Sequence, residues 1–185
     1  MPNIFRIMDG VDVARLNLEV DANPDLWDSD TIRTADDNGP FSGTSDLWLR
    51  YRAKEELTSP EKYTEPHFAV WYPAVDKFPS VKPIVRELMT RTGAIHLGGV
   101  MLTRIPAGKA IKPHDDRGSW HAEFMNCKVY LPVKTNVRCY NWVEDDEVVM
   151  RVGEAWYFNN LVTHSVENMG NSERVTLIVC MRVEN

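Results

Sequence analysis

FMNCKVYLPVKTNVRCYNW, residues 124–142, decides the fold. Val129, Leu131 and Val133 share one face of an extended chain and leave Lys128 and Tyr130 on the other, the two-residue period of a strand with one side against a core. Lys134, Thr135 and Asn136 then supply a turn, and a second short apolar run starts at Val137. The rhythm continues in both directions. Residues 96–105, 154–159 and 174–183 are rich in Val, Ile, Leu, Tyr, Phe and Trp. Turn signals separate them at Pro106-Ala107-Gly108, at Glu144-Asp145-Asp146 and between Asn168 and Asn171. Many short strands at close spacing predict a mainly β protein, a sandwich or jelly roll, with its core in residues 94–183.

Upstream the pattern changes. Val81, Ile84, Val85, Leu88 and Met89 fall at helical spacing after Pro79-Ser80 and before Gly93, so a helix near residues 80–92 covers one sheet. TSDLWLRY, residues 44–51, alternates Leu47, Leu49 and Tyr51 against Trp48 and Arg50, as a half-buried strand does. Residues 1–43 read as a loop-rich segment. Asp, Asn, Pro and Gly crowd residues 20–43, with Trp27 and Phe41 as apolar anchors.

With 185 residues, 43% of them hydrophobic and 26% charged, the chain fits one globular domain spanning 1–185. No apolar run approaches the roughly 20 residues of a membrane span. The start, MPNIFRIMDGVDVARL, carries acids and lacks an apolar signal core, so the cytoplasm is the expected location. Cys127, Cys139 and Cys180 fit neither a disulfide framework nor a zinc motif and read as reduced, mostly buried residues. A net charge of -6 without a basic cluster argues against a nucleic-acid partner.

Chemistry concentrates in four residues. His114 and Asp116 are two apart, so on a strand they point to one face, with Asp115 turned away. His164 lies fifty residues on, and Arg174 ten beyond it. Two imidazoles and a carboxylate suit a ferrous ion with open coordination positions, and the arginine suits an anionic co-substrate. Spacing alone leaves plainer readings open: a solvated His–acid pair, a hydrogen-bonded lone histidine, and an exposed strand-end arginine opposite Glu173 or Glu184.

HDD (114–116), HSVEN (164–168) and SERVTLIV (172–179) resemble the iron- and co-substrate-binding motifs of Fe(II)/2-oxoglutarate-dependent dioxygenases. The branch they most resemble is the aspartyl/asparaginyl β-hydroxylase-like one, which also contains bacterial free-proline hydroxylases. The resemblance extends over residues 104–182, including TRIPAGKAIKPH and GEAWYFNN. It implies a double-stranded β-helix that holds iron through His114, Asp116 and His164, with Arg174 gripping the distal carboxylate of 2-oxoglutarate. In that branch the strand at 128–130 often reads R-x-H. Here Lys128 and Tyr130 stand there, and they become the candidates for further co-substrate contacts. The implied reaction is hydroxylation of an unactivated C–H in an amino acid or a peptidyl Pro, Asp or Asn. It consumes O2 and 2-oxoglutarate and releases succinate and carbon dioxide.

Arg117, Trp120 and His121 follow the HxD pair and are candidates to border the substrate, with Trp48 and Arg50 on the opposite rim. Arg117 reads equally as a surface arginine paired with Asp115 or Glu123. His67, His96 and His121 lack a ligand-like partner pattern. The rival class is a non-catalytic, cupin-like jelly roll that merely holds a metal. A nucleic-acid demethylase would carry a second arginine where Cys180 stands, and a zinc hydrolase would need an HExxH motif that is absent.

Overall fold

The computed structural model describes residues 2–31 and 33–184; Met1, Ile32 and Asn185, part of the expected 1–185 span, lie outside the described residues. In chain order the strands are β1 Ile4–Met8, β2 Ser45–Arg52, β3 Ala69–Trp71, β4 Ala94–Ile105, β5 Ala110–His114, β6 Cys127–Lys134, β7 Cys139–Val143, β8 Asp146–Val148, β9 Ala155–Phe158, β10 His164–Asn168 and β11 Arg174–Val183. The α-helices are α1 Ala14–Ala22, α2 Val81–Thr92 and the short α3 Trp120–Phe124.

The strands form two antiparallel sheets. Seven run in the order β1-β9-β6-β11-β4-β2-β3 and four in the order β5-β10-β7-β8. The protein is a jelly roll of mainly β structure, as the strand rhythm predicts.

The period-2 alternation of β11 explains the layering. Val175, Leu177, Val179 and Met181 enter the main core, together with Leu47 and Leu49 of β2, Val100 and Leu102 of β4, and Val129 and Leu131 of β6. Helices close that face: Leu16 and Val20 from α1, and Val81, Ile84, Val85 and Leu88 from α2, belong to the same core. The opposite face of β11 looks between the sheets, where Ile178 packs with Trp48, Tyr51, Met101, Tyr130, Val143 and Phe158. Helix α2 ends at Gly93, whose φ of 69° is the left-handed conformation that glycine adopts without strain. The Glu19 carboxylate of α1 accepts bonds from the Ser80 backbone N–H and hydroxyl, which ties the two helices together.

Three expectations need correction. The segment 1–43 is more than loop: it supplies edge strand β1, paired with β9, and helix α1. Helix α1 buries only Leu16 and Val20, one turn apart, too little periodicity to announce itself. Acidic Asp146 opens strand β8 instead of closing a turn. In β2 the register shifts between Trp48 and Arg50, leaving Leu49 as an extra residue. That bulge reverses the alternation: Tyr51 joins Trp48 between the sheets, while Arg50 turns outward to Leu97 and Gly98 carbonyls.

Among the described residues no helix is long and apolar enough to cross a membrane. Leu177 is fully buried at the centre of the main core. Leu177→Ala should therefore cost about 2–5 kcal/mol in urea unfolding. Leu18→Ala, on the exposed face of α1, should stay within about 0.5 kcal/mol.

Candidate metal centre

Antiparallel pairing of β5 with β10 sets His164 directly across from His114, with ring centroids 4.2 Å apart. Asp116 reaches the same point from outside the strand. β5 ends at His114, and the residues that follow form a loop. Coplanarity along one strand therefore does not account for the HxD geometry, as the spacing argument assumed. Instead the Asp116 N–H donates to the Asn160 carbonyl at 2.9 Å, which pins the loop beside the segment that leads into β10. One donor atom from each of His114, Asp116 and His164 lies within 4.8 Å of the others.

Hydrogen bonds fix which atoms face inward. The Nδ1 atoms of His114 and His164 sit 2.8 Å from the carbonyls of Lys112 and Val162. A carbonyl only accepts, so each Nδ1 carries the proton and each Nε2 keeps its lone pair. The Lys128 ammonium, at 2.7 Å, and the Asn160 amide, at 2.9 Å, both donate to Asp116 Oδ2. Oδ1 is left 3.7 Å from His114 Nε2.

Protonation states agree with this arrangement. Burial, followed by the Lys128 charge, pushes His164 down to about 4, and burial also lowers His114. Burial alone would raise the Asp116 carboxyl. The Lys128 ammonium, His164 and the two hydrogen bonds outweigh it and hold the group well below the usual carboxylate range. Two neutral imidazoles and an ionised carboxylate converge, a donor set that fits a divalent first-row metal and leaves positions open.

Arg174, first residue of β11, is 2% exposed, which excludes a solvated strand-end role. Its guanidinium donates a hydrogen bond to Met150 Sδ at 3.8 Å, and Nε has no hydrogen-bond partner. Glu173, one of the partners in the plainer strand-end reading, instead pairs with Arg104 and Lys134. A buried guanidinium without an anion is costly. Two residues along, on the same face, the buried Thr176 hydroxyl also lacks a partner. These orphaned donors fit a ligand carboxylate, and sequence reasoning missed Thr176 because a strand threonine is an ordinary residue. Tyr130 is buried between the sheets with its ring 4.5 Å from Phe158. Lys128 has its charge committed to Asp116 and does not stand free for a co-substrate.

A cavity of about 330 Å³ opens beside Asp116. Trp48, His121 and Arg117 line it; Arg50 and Trp120 do not. Trp120 stacks on Phe124 at 4.8 Å, and both border a separate outer groove with Arg50. His121 accepts the Gly99 N–H on Nε2 at 2.9 Å, and burial pushes its pKa down to about 3, so it is a neutral wall. A Cβ on Gly98 would come within 2.7 Å of that ring, so glycine lets histidine pack against β4. Arg117 bonds Asp115 at 2.6 Å on the exposed rim.

Arg33, Asp46 and Asn160 escaped the sequence reading. Arg33 reaches from the loop-rich segment to clasp both oxygens of Asp46 at 2.8 Å, under the Phe41 ring. An aspartate at a buried position of β2 was the available signal.

The whole chain can be compared with known structures. A viral collagen prolyl hydroxylase of Paramecium Bursaria Chlorella virus-1, solved with 2OG, aligns over 99% of this chain and 97% of its own, at TM-score 0.56 and 10% identity. A Pseudomonas putida prolyl-4-hydroxylase aligns over 98% and 92%, at TM-score 0.57 and 15% identity. A 2OG-Fe(II) oxygenase family protein from Burkholderia pseudomallei aligns over 80% and 71%, at TM-score 0.54 and 12% identity. At such identities the likeness is one of fold. A comparison with curated proteins returns no match. The sequence profile described as Aspartyl/Asparaginyl beta-hydroxylase, however, matches residues 43–183, which hold all three converging side chains and Arg174. The chain belongs to the aspartyl/asparaginyl β-hydroxylase family of oxygenases.

Proposed function

We propose that the protein is an Fe(II)- and 2-oxoglutarate-dependent hydroxylase acting on an unactivated C–H of an amino acid or peptidyl residue. The observation that carries this reading is the convergence of two Nε2 lone pairs and one carboxylate oxygen, in a jelly roll that also buries an unpaired arginine. His114, Asp116 and His164 are the iron ligands. Arg174, with Thr176 beside it, receives a carboxylate of 2-oxoglutarate, and Tyr130 borders the same interior. Iron and 2-oxoglutarate supply the oxidising power: O2 and 2-oxoglutarate are consumed, and hydroxylated product, succinate and carbon dioxide leave.

The chain's own part is orientation and shielding. The carbonyls of Lys112 and Val162 set the imidazole tautomers. Lys128 and Asn160 hold the carboxylate ligand still. The aromatic walls of the cavity keep bulk water from the reacting C–H. We read residues 1–185 as one oxygenase domain, and the three free cysteines, two of them buried, suit a cytoplasmic enzyme.

Purified protein with Fe(II) and 2-oxoglutarate is expected to form succinate even without substrate, and to bind 2-oxoglutarate in calorimetry with Mn(II) in the site. A metal-holding module without catalysis would bind the metal and ignore the dicarboxylate. Arg174→Met should weaken 2-oxoglutarate binding by about 2–5 kcal/mol, roughly thirtyfold or more, with metal affinity retained. Asp116→Ala should abolish coupled turnover, whereas Asp115→Ala, which loses its two bonds from Arg117, should still bind metal. Asn160→Ala should weaken metal binding by about 10–100-fold.

The pH dependence follows from burial. Folded His164 titrates near 4, against about 6.5 in an unfolded chain. Coordination needs the neutral ring, so the His164 contribution to metal affinity should hold from about pH 8 to about pH 5 and fall toward pH 4, while His114, also lowered by burial, begins to weaken binding only below its ordinary value. The metal-free fold should lose stability as the pH drops from about 6.5 to about 4, because the unfolded chain takes up protons that the folded imidazole refuses. A tenfold loss of metal affinity between about pH 7 and pH 6 would contradict this assignment.

A further inference from the structure

His164 and His114 reach the metal position from unequal footings. His164 opens β10, which pairs with β5 on one side and β7 on the other, and it is buried. The ring of Phe158, itself in the core, stands edge-to-face against it, with centroids 5.0 Å apart and planes at 87°. His114 closes β5, which lies at the edge of the smaller sheet and has a strand on one side only. Register brings the two rings opposite each other, but it does not set the tilt of a side chain at a strand end. The same aromatic contact is nonetheless present. Phe41 stands against the His114 ring with centroids 4.7 Å apart and planes at 76°. Such edge-to-face pairs have a preferred geometry, so they orient a ring as well as cover it.

Phe41 comes from the segment before residue 43, where the family profile begins, and a buried charge from the same segment holds it. The Arg33 guanidinium carbon lies 3.9 Å from the Phe41 ring centroid, within range of a cation–π contact. Asp46 and Thr103 keep Arg33 there. Beyond its fork to Asp46, Arg33 Nη2 donates to the Thr103 hydroxyl at 3.1 Å, and that hydroxyl donates to Asp46 Oδ1 at 2.9 Å. The Asp46 side chain is fully buried. A buried ion pair adds little net stability, so what this one contributes is the placement of Arg33.

Backbone bonds fix Phe41 from the other side. The Lys112 N–H donates to the Pro40 carbonyl at 2.9 Å, and the Thr44 N–H and hydroxyl donate to the Phe41 carbonyl at 3.1 and 2.8 Å. Lys112 is also the residue whose carbonyl takes the His114 Nδ1 proton. Ring and backbone thus bear on one short unit, residues 112–114.

We propose that Phe41 is a positioning residue for His114, with Arg33 acting through it, so that the segment before residue 43 completes the metal centre. This rests on the reading of His114, Asp116 and His164 as metal ligands.

Co(II) bound to the full chain is the probe. It should shift two exchangeable Nδ1 protons far downfield in proton NMR, one from each imidazole. Phe41→Leu should move or broaden one of these signals and leave the other in place, and it should weaken Co(II) binding in calorimetry about tenfold. Phe41→Tyr, which keeps the ring, should restore both readouts, and Arg33→Met should repeat the Phe41→Leu pattern. Phe41→Leu leaves the Arg33–Asp46 pair intact, so it tests the contact whether or not Arg33→Met folds. A merely structural role would lower the urea midpoint of the metal-free protein while Co(II) affinity and both signals stayed as in the wild type. That result for Phe41→Leu, equal changes in both signals, or a folded Arg33→Met protein indistinguishable from wild type overturns the proposal. A wild-type protein that binds no Co(II) overturns the metal-ligand reading itself, and the proposal with it.

Discussion

Lys128 stands on β6 of the larger sheet and Asp116 on the loop that leaves β5 of the smaller one, yet their charges meet at 2.7 Å with little solvent around them. Each group alone would be costly to bury. Lys128 is driven toward neutrality by desolvation, and so is Asp116, and each is kept charged chiefly by the other. Such a pair contributes little net stability but is severely disrupted if one member is lost. Its effect here is positional. It draws the loop after β5 against the interior of the large sheet and thereby sets the distance between Asp116 and the two histidines. The His114–His164 pair needs no such device, because sheet register alone puts one ring across from the other.

The same division of labour runs along β11. Its outward residues, Val175, Leu177 and Val179, are locked into the helix-covered core, so the strand cannot shift without opening that packing. Its inward residues, Arg174 and Thr176, carry unsatisfied polar atoms that would be an error in an ordinary interior. Strain of this kind persists only where the surrounding structure over-determines it. The apolar face of one strand thus holds two unpartnered polar groups in place on the other.

Period and punctuation made the strands, helix α2 and the sheet faces legible, since alternation in residues 127–134 or 174–183 admits only one face toward the core. The same logic set Lys128 and Tyr130 together on the other face and left open whether it met the interior or solvent; the structure turns it inward. That logic misled where geometry departs from regular strands. Asp116 was read on a strand and sits past its end. Arg50 was aligned with Trp48 until the bulge at Leu49 turned it outward. Helix α1 presents two buried apolar residues in nine, too weak a stripe to read. The Arg33–Asp46 clasp joins residues whose proximity depends on the path of a loop, and no local pattern carries that information.

The two donors on Asp116 Oδ2 also limit how that carboxylate can act. With Lys128 and Asn160 both bonded to one oxygen, chelation by both oxygens would require breaking charge-assisted contacts in a partly buried site. One oxygen is therefore offered, and each imidazole offers one nitrogen. Three single-atom ligands would hold a divalent ion while leaving it further positions, as a bidentate 2-oxo acid and dioxygen would require. Were Lys128 free to serve the co-substrate, as its place on the strand first suggested, Asp116 would be released to close a fourth position. Its attachment to Asp116 would keep the site open in the proposed oxygenase, and Arg174, buried with its Nε unpartnered, is then the cation left for a dicarboxylate.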